Sequence, residues 1–369
     1  MKAIVVGAGP AGLASAACLK RIGAEVTILD RAARIGSSWR KHYARLQLHT
    51  TRGRSALPGL AMPQTRGRYP TKAEVIAYLE EYARFHGLHP QLGCGVQAVV
   101  PAQDGWRVTH DGGESVADIV VFATGLADAP RLPEWTSDFD GPVVHSSGYD
   151  TAAPYAGQRV LVVGFGNSGG DIALDLAEGG AQVTMSVRGP VNIVPKELFG
   201  VPITSLTLIN RILGPRIADA ATGPILRAVL GRPEDYGLRA AAKGPARQVA
   251  EDGRIPLIDC GTLAAIKAGQ VAIKPGVTRV AGRVVRFADG SDAVFDAVIA
   301  ATGYDVDLRG LLGNSPVLDD AGRPRVSGAA TGAPGLYFCS YRAAPNGQLN
   351  RMGQEAKAIA ADVAAAALD

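Results

Sequence analysis

Two glycine-rich motifs have the residue types and spacing that most clearly indicate chemistry. The first, Gly7 to Gly12, reads GAGPAG and follows the apolar run Lys2 to Val6. The second, Gly164 to Gly169, reads GFGNSG and follows Arg159 to Val163. In a strand–turn–helix unit such glycines permit a tight turn, close approach of a pyrophosphate, and packing of the helix on the strand. The helix N-terminus then offers free N–H groups to the phosphates. Two such motifs predict two dinucleotide sites, as hydride transfer between two nucleotides requires.

The residue at the end of the second strand of each unit distinguishes the two nucleotides. Asp30 ends the strand Ala24 to Asp30, where a carboxylate accepts hydrogen bonds from ribose hydroxyls and repels a 2′-phosphate. Arg188 follows the strand Ala181 to Val187, where a guanidinium can clamp a 2′-phosphate with two hydrogen bonds. We therefore assign FAD to the first site and NADPH to the second. For each residue alone, a solvated strand end is the alternative interpretation.

These motifs predict an α/β fold with two dinucleotide-binding, Rossmann-like domains. The two halves are expected to end alike, because Asp118 to Phe122 leads into Ala-Thr-Gly and Ala297 to Ala300 leads into a second Ala-Thr-Gly. In each half this small-residue turn would let the backbone approach a cofactor. We expect the NADPH domain to be inserted into a discontinuous FAD domain. The predicted boundaries are residues 1–148 and 281–369 for the FAD domain and 149–280 for the NADPH domain.

Three further segments are predicted to be helical. Thr71 to His86 carries an apolar stripe at helical spacing, and the Ala-rich stretch from Gln354 to Leu368 is predicted to be a structural helix. Ile203 to Leu230 is apolar with scattered arginines. This last segment could cover the substrate entrance or lie on a membrane surface, but we favour packing on its own domain.

Composition excludes several classes of protein. A chain of 369 residues is long enough for two domains, and its net charge of +4 comes without a Lys/Arg block, which argues against nucleic-acid binding. The sequence contains no run of about 20 apolar residues, so no transmembrane helix is predicted. The apolar N-terminus is explained by the first nucleotide-binding unit better than by a signal peptide, so we expect a cytoplasmic protein.

The cysteines argue against disulfide chemistry. The chain has four cysteines, Cys18, Cys94, Cys260 and Cys339, and no two of them form a C-x-x-C pair or have metal-ligand spacing. A flavin disulfide reductase needs a neighbouring cysteine pair. We therefore expect reduced, buried thiols, and no metal site.

Between the two nucleotide-binding units, Phe139 to Tyr149 has the pattern F-x-G-x-x-x-H-x-x-x-Y. This pattern resembles the signature of the class B flavin-dependent monooxygenases. Tyr149 stands where Baeyer–Villiger members usually carry Trp, so the resemblance favours other branches of the family. Without the family, His145 is a lone histidine in a loop. Within it, we interpret His145 as a residue that organises the two domains rather than as a general base.

The resemblance extends over nearly the whole chain and is greatest to the YUCCA-type indole-3-pyruvate monooxygenases. Besides the glycine motifs and Arg188, the matching stretches are Tyr69 to Lys72, Tyr78 to Glu80, Gly237 to Arg239, Pro256 to Asp259, Ile266 to Gly269 and Ala301 to Tyr304. The chain departs from the family where Asp30 replaces the usual Glu and where Arg342 to Met352 differs from plant members. Animal-type amine and sulfide oxygenases carry an Asn near the flavin that Pro70 to Lys72 lacks.

The resemblance implies an NADPH- and O₂-dependent FAD monooxygenase. In the family, NADPH reduces FAD, O₂ adds at flavin C4a, and the (hydro)peroxyflavin is held in a dry pocket until a small organic substrate arrives. The implied reaction is oxidative decarboxylation of an aryl keto acid such as indole-3-pyruvate. N- or S-oxygenation, ketone oxidation of another small molecule, and a flavin NADPH oxidase or reductase stay open as alternatives. A homodimer also stays open.

The candidate site residues follow from the motifs and from the resemblance. Those expected at the first nucleotide and its turn are Gly7, Gly9, Pro10, Ala11, Gly12, Asp30, Arg31, Thr124 and Gly125. Those expected at the second are Gly164, Gly166, Asn167, Ser168, Gly169, Arg188, Thr302, Gly303 and Tyr304. Trp39 and His49 are expected near the isoalloxazine, with core packing as the alternative for each.

Three residues are candidates for roles in catalysis. Lys72 is expected to stabilise negative charge near the flavin, with an exposed surface lysine as the alternative. Gln348 and Asn350 are expected at the pyrimidine edge of the flavin or in the substrate pocket.

Overall fold

A computed structural model describes residues 1–65, 67–127, 129–205, 213–344 and 346–367. The strands are β1 (Lys2–Val6), β2 (Glu25–Asp30), β3 (Gln91–Leu92), β4 (Val96–Ala102), β5 (Gly105–His110), β6 (Gly113–Ala117), β7 (Ile119–Phe122), β8 (Ala129–Pro130), β9 (Val143–His145), β10 (Arg159–Val163), β11 (Gln182–Ser186), β12 (Ile193–Pro195), β13 (Glu197–Leu198), β14 (Val201–Pro202), β15 (Leu257–Asp259), β16 (Val271–Lys274), β17 (Val277–Ala281), β18 (Val284–Phe287), β19 (Asp292–Val294), β20 (Ala297–Ala300), β21 (Tyr304–Asp305) and β22 (Leu336–Phe338). The helices are α1 (Pro10–Arg21), α2 (Ser37–Arg40), α3 (Lys72–Phe85), α4 (Asn167–Glu178), α5 (Pro215–Leu230), α6 (Pro245–Asp252), α7 (Thr262–Lys267), α8 (Arg309–Leu312) and α9 (Gln348–Ala366).

The chain divides into two compact units. Unit 1 contains Met1–Arg40, Thr50–Ala129 and Tyr304–Asp369, and unit 2 contains Lys41–His49 and Pro130–Gly303. These limits differ from the boundaries expected from the sequence, at 148/149 and 280/281. The difference arises because β9 and β20 both belong to the sheet built around β10, so the segments that carry them fall in unit 2.

The main sheet of unit 1 is parallel, with the strand order β22-β7-β1-β2-β3. The central strand β1 is the apolar run before the first glycine motif, and four of its five residues are buried. Its register with β2 pairs Val6 with Leu29, so the glycine turn and Asp30 lie at the same, carboxyl edge of the sheet. This is the edge at which open parallel sheets bind ligands.

The main sheet of unit 2 repeats this plan with the order β16-β11-β10-β20-β9, again parallel. In both sheets the strand before the glycine motif lies between the following strand and a closing strand, β7 or β20. A three-stranded antiparallel sheet precedes each closing strand, β4-β5-β6 in unit 1 and β17-β18-β19 in unit 2. Each unit is therefore an α/β domain with the same strand order.

Each unit has a hydrophobic core of its own. In unit 1 the stacked rings of Phe122 and Phe338, with centroids 5.6 Å apart, lie in a cluster with Trp106. In unit 2 the side chains of β10 and α4 pack together with Tyr149 and with Tyr43 from the segment Lys41–His49. The main sheets are thus held rigidly enough to fix the loops at their carboxyl ends.

The predicted helices are found with changed limits. α3 begins after Thr71, whose hydroxyl accepts from the backbone N–H of Glu74 while Glu74 bonds back to the N–H of Thr71, a capping box. The C-terminal helix begins at Gln348 rather than at Gln354. Of the segment 203–230, residues 203–205 form a 3₁₀ turn and 215–230 form α5, while 206–212 lie outside the described residues.

Candidate functional site

The first glycine motif joins β1 to α1 through a turn that only glycine fits. Gly7 has φ +113°, and a Cβ atom there would lie 2.6 Å from the carbonyl oxygen of Ala123, which follows β7. A Cβ atom on Gly12 would overlap the carbonyl oxygen of Gly7. These two glycines let the turn, the helix and the closing strand come together. Pro10 and Ala11, in the first turn of α1, are buried.

Gly9 has a different role, because nothing lies within 4 Å of the position of its missing Cβ. It is the N-cap of α1, which has no side-chain cap and no acidic residue in its first turn. The N–H groups of this helix end are therefore available to an anion. Beside them, Asp30 accepts N–H bonds from Ala8 at 2.6 Å and Ala32 at 2.7 Å, one on each carboxylate oxygen. The carboxylate oxygens keep further lone pairs that can accept from a ribose hydroxyl, while the helix end offers its N–H groups to a phosphate.

The second motif has the same geometry. Gly164 has φ +111°, and a Cβ atom there would lie 2.5 Å from the carbonyl oxygen of Ala301, which follows β20. A Cβ atom on Gly169 would lie 2.5 Å from the carbonyl oxygen of Gly164, whereas nothing lies within 4 Å of one on Gly166. α4 also lacks a side-chain N-cap and an acidic residue in its first turn. Its first residue, Asn167, accepts the N–H of Ile258 on Oδ1 at 2.7 Å, which ties the helix start to β15.

Two arginines lie at the carboxyl end of β11. Arg188 is exposed, and Nη2 of Arg239, also exposed, donates to its carbonyl oxygen at 2.6 Å. The backbone of Arg188 passes so close to Gly276 that a Cβ atom there would lie 3.3 Å from its Cα. The sequence identified Arg188 by its position after the strand. Arg239 lies 51 residues further along the chain, and its proximity to Arg188 is visible only in the structure.

The two Ala-Thr-Gly turns are held by different partners. In unit 1 the Thr124 hydroxyl lies 2.7 Å from the Tyr341 hydroxyl, which also accepts the Thr124 N–H at 3.3 Å. In unit 2 the Thr302 carbonyl accepts from Nη2 of Arg131 at 2.9 Å, and the Thr302 hydroxyl donates to the Arg131 carbonyl. Gly125 and Gly303 have φ of +90° and +81°, so both turns contain backbone that favours glycine. Tyr304, the next residue, begins β21.

His145 is part of the structure that supports the second turn. Its Nε2 donates to the carbonyl oxygen of Gly303 at 2.9 Å, and its Nδ1 accepts the N–H of Ser147 at 3.2 Å. Burial lowers the pKa of His145, so the neutral ring that this pattern requires is favoured. The side chain is therefore placed to position a backbone turn.

Gln348 and Asn350 lie in the first turn of α9. Nε2 of Gln348 donates to the Ser340 hydroxyl at 2.6 Å, and Ser340 has φ +72°, which is rare for a residue with a side chain. Oδ1 of Asn350 accepts from Gln354 at 2.8 Å. Like α1, α9 begins without a side-chain cap or a first-turn acid. Gln348 thus stabilises the turn after β22 beside an open helix N-terminus.

The remaining residues predicted at the flavin and at the two nucleotides lie in both units. Trp39 in α2 and Lys72 at the start of α3 are partly buried in unit 1, and Arg31 is exposed directly after β2. His49 instead belongs to the segment Lys41–His49 of unit 2. Ser168 lies in the first turn of α4.

His49 belongs to a cluster of polar side chains. Its Nε2 lies 3.8 Å from Oδ2 of Asp171 on α4, and both lie within 4.8 Å of Sγ of Cys260. Tyr43 donates to the same Asp171 oxygen at 2.7 Å. Burial lowers the pKa of His49 and raises the pKa of Cys260 to about 11, so both are neutral at physiological pH. The Lys196 ammonium also opposes positive charge on His49. The spacing suits a metal ion, but the carboxylate is already held by Tyr43 and a cation lies nearby, so we assign no metal here.

Comparison with known proteins gives a consistent result. The model of the pyridine nucleotide-disulphide oxidoreductase family matches residues 4–197. Indole-3-pyruvate monooxygenase YUCCA1 of Oryza sativa subsp. japonica is 39% identical over 82% of this chain and 76% of its own length. Indole-3-pyruvate monooxygenase YUCCA8 of Oryza sativa subsp. indica is 36% identical over 98% of this chain and 90% of its own length. The chain belongs to the class B flavin-dependent monooxygenases.

A solved structure agrees with this assignment. The flavin-containing monooxygenase from Stenotrophomonas maltophilia has a TM-score of 0.77 and is 26% identical, with 99% of this chain and 98% of that chain covered. The monooxygenase described here is thus an oxidoreductase and a flavoprotein that uses FAD and NADPH. Its two open helix N-termini, each next to a glycine without a neighbour at the Cβ position, fit two pyrophosphates.

The cysteines of the described residues are all free thiols, of which Cys260 is partly exposed and the other three are buried. Among the described residues, no helix combines the length and the apolar character needed to cross a bilayer.

Proposed function

We propose that this monooxygenase binds FAD in unit 1 and NADPH in unit 2, and that it oxidatively decarboxylates an aryl keto acid such as indole-3-pyruvate. The observation that carries the nucleotide assignment is the pair of residues at the ends of β2 and β11. The carboxylate of Asp30 beside the first open helix N-terminus favours an unphosphorylated ribose. The exposed Arg188 follows β11, which pairs with the strand that leads into the second glycine motif, and its guanidinium favours a 2′-phosphate.

The glycines proposed to hold FAD act through the backbone, and Asp30 acts through its carboxylate. Gly7, Gly9 and Gly12 let the pyrophosphate reach the N–H groups of α1, and Asp30 orients the ribose. The start of α9, which Gln348 holds against the turn after β22, supplies a second positive helix end for the flavin ring. FAD bound there supplies the redox centre at which NADPH and O₂ react. The protein orients this centre and excludes water from it.

The proposed substrate follows from the relatives that are named indole-3-pyruvate monooxygenases and cover most of the chain. The balanced reaction is R–CO–COO⁻ + O₂ + NADPH + H⁺ → R–COO⁻ + CO₂ + NADP⁺ + H₂O. One oxygen atom of O₂ enters the acid and the other leaves as water, while the carbon–carbon bond to the carboxylate breaks. The two electrons that reduce the second oxygen atom come from NADPH.

The test is to incubate the FAD-loaded protein with NADPH, oxygen and indole-3-pyruvate, and to measure NADPH, CO₂ and the aryl acid. One CO₂ and one acid for each NADPH consumed would support the proposal. NADPH consumption that yields hydrogen peroxide, with no acid formed when catalase is present, would contradict it and favour an NADPH oxidase, because free hydrogen peroxide itself decarboxylates keto acids.

N- or S-oxygenation is distinguished by parallel incubations with an amine and a sulfide. An oxide of either, formed in proportion to NADPH without release of CO₂ from the keto acid, would keep the monooxygenase assignment and replace the proposed substrate. A protein that reduces a separate acceptor with no oxygenated product would be a flavin reductase.

A further inference from the structure

Helix α5 presents an unusual surface outward from unit 2. Except for Arg216 and Arg227, every exposed residue of the helix is apolar, namely Ile217, Ala220, Ala221, Pro224, Ile225, Ala228 and Val229. The exposed fractions are 59% for Ile217, 40% for Ile225 and 46% for Val229. A surface helix in water normally places charged and polar residues on this face. The outer face of α5 therefore has the apolar composition of a surface that contacts another molecule.

The inner face of α5 is already fully used by its own unit. Ala218 and Leu226 are buried, and Leu226 packs with Val194 and Ile258. Asp219, the helix's only acidic residue, accepts N–H bonds from Ala246 at 2.8 Å and Arg247 at 3.0 Å at the start of α6. The acidic charge is thus turned toward the protein. The charges left on the outer face are positive.

The outer residues form an apolar band with arginines along one edge. At 100° per residue, Ile217, Ala221 and Ala228 share one side of the helix, and Arg216 and Arg227 lie together along one edge of it. An apolar band bordered by arginines is typical of a helix that lies in the interface of a lipid bilayer. The arginines then reach the head groups while the apolar residues enter the acyl boundary.

A cleft beside the helix extends the positive border. Its volume is about 740 Å³, and its lining includes Arg227 and Arg232 together with the acidic residues Asp219 and Glu234. The Asp219 carboxylate is bound by backbone N–H groups, and Oε1 of Glu234 accepts the N–H of Ala240 at 3.1 Å. The two acids are therefore partly neutralised, whereas the arginines remain available to an anionic head group.

We propose that α5 docks this monooxygenase on the surface of an anionic lipid bilayer, parallel to the membrane plane. A helix of 16 residues is about 24 Å long, shorter than the roughly 30 Å of a hydrocarbon core, so it lies on the bilayer rather than across it. Charge complementarity selects the bilayer as the partner, because an apolar band with arginines along one edge matches acyl chains beneath anionic head groups. The docking does not depend on which substrate is oxidised.

The test is flotation of the full-length, FAD-loaded protein with vesicles. One set contains phosphatidylcholine alone, and the other contains phosphatidylcholine mixed with phosphatidylglycerol. Binding is expected only to the anionic set, and it should weaken as salt is raised because surface charges are screened. The double substitution Ile217→Ser/Ile225→Ser should weaken binding roughly tenfold or more. The substitution Arg216→Gln/Arg227→Gln should weaken it by roughly fivefold for each charge.

The matched control is Val116→Ser/Leu132→Ser, which removes two side chains that are 52% and 47% exposed on other elements. The control should bind vesicles like the wild type, and all variants should consume NADPH at the wild-type rate. Failure of the wild type to float with anionic vesicles would overturn the proposal. Equal binding by Ile217→Ser/Ile225→Ser would do the same. A concentration-dependent dimer in light scattering that this variant abolishes, without vesicle binding, would assign the face to a second copy of the chain.

Discussion

The Tyr43 hydroxyl donates a 2.7 Å hydrogen bond to Oδ2 of Asp171, a residue 128 positions later in the chain. Tyr43 is only 2% exposed, and Asp171 lies on α4, two residues after the second glycine motif. A hydrogen bond to a carboxylate is stronger than one between neutral groups. This pair therefore fixes the segment Lys41–His49 to the helix that begins the proposed NADPH site.

Tyr43→Phe should destabilise the protein by about 1.5–3 kcal/mol, because the Asp171 carboxylate loses its phenolic donor while it stays partly buried. The measurement is urea unfolding of Tyr43→Phe, Asp171→Asn and the double variant. The double variant should lose less than the sum of the two single changes, because the residues act on each other. Tyr155→Phe is the control, since the described residues include no hydrogen-bond partner for the Tyr155 hydroxyl. Additive losses would show that the bond contributes little.

Substitutions at Gly9 and Gly12 are expected to differ in effect, the first on cofactor binding and the second on folding. Gly9 has φ −81° and open space at its Cβ position, so Gly9→Ala should fold with little change in the melting temperature of the apoprotein. The added methyl group would occupy the place proposed for the pyrophosphate, and FAD affinity should fall by roughly tenfold or more. Gly12→Ala should instead destabilise the apoprotein, because the new Cβ overlaps the Gly7 carbonyl. FAD affinity is measured by equilibrium dialysis, with the free FAD determined from its fluorescence.

Gly166→Ala provides the matched control in unit 2, where nothing lies within 4 Å of the added methyl group. This variant should keep wild-type FAD affinity and should raise KM for NADPH. If Gly9→Ala raised KM for NADPH and left FAD bound, the two nucleotide assignments would be reversed.

Features that a short stretch of sequence specifies could be predicted from that stretch alone. The glycine turns, the helix that follows each of them, and the paired closing strands were predicted because a few neighbouring residues specify each of them. The predicted start of the C-terminal helix, Gln354, lies after its actual start at Gln348. Its Ala-rich pattern becomes regular only after the polar residues Gln348 to Arg351, and the helix begins after Gly347 without a side-chain cap.

Partnerships between distant residues could not be predicted in the same way. Tyr341 lies 217 positions from Thr124 and yet holds the first Ala-Thr-Gly turn. The limits of the two compact units differ from the predicted domain boundaries, because β9 has only three residues and its membership of the second sheet depends on pairing with β20. The apolar stripe predicted over Thr71 to His86 is buried only in part, since Leu79 and Tyr82 are buried whereas Ala73 and Ala77 are exposed.

Arg188 and Arg239 give a prediction about nucleotide preference. If both guanidinium groups face the 2′-phosphate, Arg188→Ala and Arg239→Ala should each raise KM for NADPH by roughly 10- to 100-fold and change KM for NADH much less. The measurement is steady-state oxidation of each nucleotide by the FAD-loaded enzyme. Arg254→Ala, at another arginine of unit 2, is the control. Equal effects on KM for NADPH and KM for NADH would show that these arginines do not contact the 2′-phosphate.

His145 gives a prediction about pH. Burial lowers the pKa of the folded-state imidazole below its ordinary value of about 6.5, so below that pH the unfolded state binds more protons than the folded state. The stability contributed by neutral His145 is therefore fully present above about pH 6.5 and is lost as the pH falls through this region. Protonation would also place a second N–H on Nδ1, where the ring now accepts the Ser147 N–H.

His145→Gln should consequently flatten the loss of stability between about pH 7 and about pH 5.5, by at most about 1.4 kcal/mol per pH unit. Urea unfolding at each pH measures the slope. Some slope should persist in the variant, because burial also lowers the pKa values of His49 and His86. His89→Gln, at an exposed histidine, should keep the wild-type slope. A His145→Gln slope equal to that of the wild type would mean that the ring is not held in its neutral form by the contacts with Gly303 and Ser147.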